Sequence, residues 1–148
     1  MKAISSHCLY DRDFYQWTRT TAHLLRAGRL DSIDLERVAE ELEDMGKRDK
    51  LELESRMDVL VAHLLKWDYQ PEKRSDSWTN TIEEQRRRIK RQLTTMPSLR
   101  AHLRATLPDI YEYGVRTAAR QTRKHVDAFP AKCPYSLERI LDTEPALP

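Results

Sequence analysis

Five histidines, two cysteines and a dense acidic run are the side chains in this chain that could hold a metal or move a proton. His7, His23, His63, His102 and His125 are spread from end to end, and Glu40, Glu41, Glu43 and Asp44 form the acidic run. Helical bundles hold metals through inward-facing carboxylates and Glu-x-x-His pairs. Here Thr20, Leu60 and Leu99 stand three residues before His23, His63 and His102, so that signature is missing, and no H-E-x-x-H occurs. A metal-dependent enzyme would need a site assembled between helices from His63, Glu40 and Glu41. The plainer role for His63 is a core histidine bonded to a neighbouring helix, since zinc needs three or four converging ligands. No metal and no cofactor is therefore assigned.

Nucleophilic catalysis finds no support. There is no G-x-S-x-G, and neither Cys8 nor Cys133 lies in a reactive context. Gly28, Gly46 and Gly114 are isolated, so no phosphate-cradling loop exists. No catalytic residue is assigned, and the balance leans away from an enzyme.

Two binding chemistries remain. Residues 73–104 are rich in arginine and lysine, with Arg87 and Arg91 on the outer side of a helix and aromatics nearby; basic groups beside aromatic rings can hold a nucleic-acid backbone and stack a base. Against this, Glu83 and Glu84 stand four residues before Arg87 and Arg88, the favourable order for pairing along a helix. Residues 31–58 carry eleven acids and five bases, and residues 71–104 carry nine bases and four acids, so the two stretches can neutralise each other. Arg86 is expected to reach Glu40 or Glu41. The second chemistry is a small-anion or peptide site at Trp67, Tyr69, Lys73, Arg74 and Trp78. The plainer role for the same residues is a structural corner, with the tryptophans as a clamp and Arg74 on helix-end carbonyls.

The elements that must position these groups are helices. Only three glycines occur, and charged residues make up 34% of the chain, a composition that disfavours a turn-rich β fold. The net charge of +2 does not by itself call for a polyanionic partner. A chain of this length buries roughly 70% of its unfolded surface and needs no disulfide to fold. A helix is expected over 12–27, capped by Asp11 and closed by Gly28. A second starts after Asp34, and its stripe Leu35, Val38, Leu42, Met45 runs in phase into Leu53 and Met57, so a break at Gly46 and a continuous helix are both open. The apolar run Val59–Trp67 is the middle of the bundle and ends at Gln70-Pro71. Asp76 or Ser77 caps a helix over 79–96. Pro97-Ser98 starts a short helix over 99–105, and Pro108 opens another. The tail from 129 to 148 holds four prolines and one helical turn over 136–141; its apolar residues should lie across the bundle or a partner subunit.

LYDRDFYQW, DLERVAEELEDMG, LVAHLLKWDYQPEKRSDSW, IEEQRRRIKRQL and CPYSLERILD span nearly the whole chain. In these stretches the sequence resembles the bacterial domain of unknown function 29 family. The resemblance implies an all-helical fold and transfers no activity and no functional residue.

The expectation is thus an all-α, single-domain bundle of about five to seven helices, with a core over about 10–126 and an ordered proline-rich tail over 127–148. The start of the chain lacks the apolar core of a signal peptide and no stretch suits a membrane, which points to the cytoplasm. The leading function is a non-enzymatic protein-interaction module, with self-association as one form of it. Nucleic-acid binding by 73–104 and a metal-dependent enzyme are the alternatives.

Overall fold

The computed structural model describes the backbone of residues 6–142 and the side chains of residues 9–142. The side chains of His7 and Cys8, and the end of the proline-rich tail, lie outside the described residues. Six α-helices and no strand occur among the described residues: α1 (Ser6–Arg12), α2 (Phe14–Arg26), α3 (Leu35–Tyr69), α4 (Asp76–Thr95), α5 (Leu99–Thr122) and α6 (Leu137–Asp142). The protein is all-α. Its contacts divide into two compact units, residues 1–48 and residues 49–148.

The first unit is thin. The helix expected over 12–27 is α2, which starts at Phe14 after the short α1, because Asp13 and not Asp11 takes the capping position: its carboxylate accepts the amide of Gln16 at 2.9 Å. Gly28 closes α2 at φ +69°, a conformation that glycine adopts without strain. Asp34 accepts the Arg37 amide at 3.1 Å and starts α3. Tyr10 packs edge-on against Trp17 at 5.0 Å, donates its hydroxyl to Glu41, and lies under the Arg37 guanidinium at 4.6 Å. Among the described side chains of this unit only Trp17 and Thr21 are buried.

Gly46 does not interrupt α3. It costs the helix about 1 kcal/mol relative to alanine, less than an end with unpaired carbonyls and amides would.

The second unit holds the core. Leu53, Met57, Leu60, Val61, Leu64, Leu65 and Trp67 of α3 meet Ile82, Ile89 and Leu93 of α4 and Leu103, Ile110 and Ala118 of α5. Ser75, rather than Asp76 or Ser77, caps α4, its hydroxyl accepting the Trp78 amide. The helices expected over 99–105 and from Pro108 are one helix, with Pro108 inside it. An interior proline costs about 3 kcal/mol. Leu103 on one side of it and Ile110 and Tyr111 on the other are all buried, and that burial offsets the cost. The tail adds Phe129, Tyr135, Leu137, Ile140 and Leu141 to the same core. Arg86 is buried, but its partner is this tail rather than Glu40 or Glu41: Nε donates to the Ile140 carbonyl at 2.7 Å. It thereby satisfies an orphan carbonyl at the C-terminal end of α6, where a cation is favoured.

Candidate functional site

The end of α3 is closed by two cations. Arg74 Nε donates to the Trp67 carbonyl at 3.0 Å, and Lys124 Nζ donates to the Tyr69 carbonyl at 2.7 Å. The Arg74 guanidinium also stacks 4.9 Å from the Trp67 ring, which is buried. Tyr69 packs against Phe129, and Trp78 lies 5.0 Å under the Lys66 ammonium. Lys73 is exposed. Of the five residues named as a ligand site, the structure pairs Trp67 with Arg74, sets Tyr69 and Trp78 against other neighbours, and leaves Lys73 in solvent.

Alongside this corner runs a cleft of about 290 Å³ between α3 and α5. Ser55, Asp58, Val59, Ala62 and His63 form one wall, and Tyr113, Thr117, Arg120 and Gln121 form the other. Gly114 lets α3 and α5 approach closely beside it. A Cβ there would come 2.7 Å from Val61 Cγ1, so only glycine lets the two helices approach this closely. Among the described residues His63 bonds no neighbouring helix; its Nδ1 lies 2.8 Å from the Val59 carbonyl of its own helix. Its Nε2 lies 3.4 Å from Lys66 Nζ.

Three titratable groups on this stretch of α3 are shifted toward their neutral forms, each mainly by burial. Asp58 is pushed up to about 6 by desolvation, with Glu54 adding to the rise. His63 is lowered by desolvation, against the pull of the Val59 carbonyl. Lys66 is lowered by desolvation and is buried with His63 and the Trp78 ring as neighbours. Two of them, Asp58 and His63, line the cleft, and perturbed groups on a cleft mark a candidate site. Asp58 and Lys66 escaped the sequence reading because each looks like a polar interruption of an apolar helix.

The other named residues are placed as follows. Glu40 pairs with Arg37 at 2.8 Å, and Glu41 accepts the Tyr10 hydroxyl. No group of three or more His, Cys, Asp or Glu side chains suited to a metal occurs among the described residues. Arg87 and Arg88 both bind Glu84, Lys90 pairs with Asp142, and Arg104 pairs with Glu138, both at 2.8 Å. Arg91 is exposed. A larger open groove of about 980 Å³ lies between α5 and the tail, with Cys133 in its wall; burial raises that thiol and keeps it protonated.

The all-α fold defines the class, and the sequence supplies the family. The model described as "Domain of unknown function DUF29" matches residues 9–145, and the chain belongs to this family. No curated protein and no solved structure matches it. No helix among the described residues is long and apolar enough to cross a membrane.

Proposed function

We propose that the protein is a non-enzymatic interaction module of the cytoplasm that pairs with a second copy of itself through the N-terminal half of α3. One observation carries the reading: Leu35 and Leu42, two turns apart on one face of that helix, are 53% and 63% exposed, and Met45 beside them is 56% exposed. A helix that turns such residues outward, in a unit with so little buried surface of its own, is completed by a partner.

Charge favours an antiparallel copy as that partner. Glu36, Glu40, Glu43 and Lys47 follow at spacings of four, three and four, so they share one flank beside the apolar face. The acids come first and the base last. An antiparallel copy whose midpoint lies between Glu43 and Asp44 sets each Glu40 opposite the other Lys47. Their present partners, Arg37 and Asp44, are one helical turn away on the surface, and such pairs contribute little and exchange readily. The basic stretch of α4 offers a weaker case, because Glu84 and Asp142 already occupy several of its cations.

Charge reversal tests this directly. Glu40→Lys and Lys47→Glu should each weaken association, and the double variant should restore it. Equal association in all four proteins would refute the antiparallel pairing.

A further inference from the structure

The cleft between α3 and α5 contains two opposite charges that do not meet. Asp58 and Arg120 both line it, and among the described residues neither forms an ion pair or a side-chain hydrogen bond. The two helices run parallel: Glu54 bonds His102, Gly114 meets Val61, and the Tyr69 carbonyl takes Lys124. Asp58 lies between the first and second of these levels. Arg120 lies between the second and third. The acid and the base thus stand at opposite ends of one groove, about two to three helical turns apart before their side chains reach inward.

Between them the walls change character. Val59 and Ala62 make a short apolar stretch of the α3 wall, and Ala62 is almost fully buried. Thr117 and Gln121 add neutral hydrogen-bonding groups near the arginine end. A volume of about 290 Å³ is at the small end for an organic ligand and far too small for a folded partner. A simple anion would satisfy Arg120 and leave the carboxyl facing it. A simple amine would do the reverse.

We propose that this cleft binds a small zwitterion, with its ammonium end on Asp58 and its carboxylate end on Arg120. The alkyl part between the two ends lies over Val59 and Ala62. Binding at this groove is independent of self-association through the N-terminal half of α3.

The test uses the full chain and a series of unbranched ω-amino acids from β-alanine to 6-aminohexanoate, followed by calorimetry. Alkylamines and alkanoates of matching length are the controls. One chain length should bind best, at least about tenfold more tightly than either control, the expected size for one charge-assisted contact. Asp58→Asn should remove its advantage over the alkanoate, and Arg120→Gln its advantage over the alkylamine. Arg120 is exposed, so its variant keeps the fold and serves as the second arm. The proposal is overturned if no member of the series binds at millimolar concentration. It is equally overturned if the amino acids bind no better than the controls, or if both variants bind like the parent.

Discussion

Asp58 shows how one side chain in the cleft reports on the whole molecule. Its folded value near 6 lies above the ordinary carboxylate value, so the carboxylate form disfavours the folded state. That penalty is complete above pH 6, fades as pH falls, and is gone below about pH 4, where the unfolded chain also holds the proton. Asp58→Asn should therefore raise stability at pH 7 by about 1 kcal/mol, a figure reduced for the side chain's contact with solvent. Denaturant melts across pH 3–8 will check it, and the two proteins should converge at the acid end. At Gly114 the opposite holds. Alanine gains helix propensity but brings its Cβ into Val61, a stiff β-branched side chain with no exposure. Gly114→Ala should lose about 1–3 kcal/mol, the cost of overpacking. Val61→Ala in the same chain should recover part of that loss, a non-additivity that a double-mutant cycle measures.

At the scale of elements, helix existence was legible and helix ends were less so. The 3, 4 spacing of apolar residues marked helical segments within α2, α3, α4 and α5, but it left the continuity of α3 open and read α5 as two helices. The ends were decided by competition among nearby caps. Asp13 outcompeted Asp11, and Ser75 outcompeted Asp76 and Ser77, each through a hydrogen bond that periodicity does not encode. Pro108 reads as a helix start, yet tertiary packing on both sides carries the helix through it. The long-range partner of Arg86 was illegible for a similar reason: a chain position gives the charge but not which carbonyls will need it. That contact bears on α6 as a unit. Arg86→Met should keep the aliphatic packing and lose the bond to Ile140, costing about 1.5–3 kcal/mol. Hydrogen exchange should show the loss as earlier opening of residues 137–142, with α3 less affected.

Across the whole molecule, His63 was recognisable because a histidine inside an apolar run is conspicuous. Its cleft was not, because Asp58, Gly114 and Arg120 share no spacing that reveals them as neighbours. At the Trp67 corner the bond of Arg74 to a helix-end carbonyl was legible, while the pairing of each ring with its cation had to come from three dimensions. The charge segregation along the chain resolves largely into short-range pairs and tail contacts. What those pairs leave uncovered is the Leu35–Leu42 face, and self-association through it is the central claim. Sedimentation equilibrium of the untagged full chain, beside Leu42→Glu, tests it most directly. The account predicts a dimer for the parent and a folded monomer for the variant. A parent that stays monomeric up to millimolar concentration, or a variant that dimerises equally well, would contradict it.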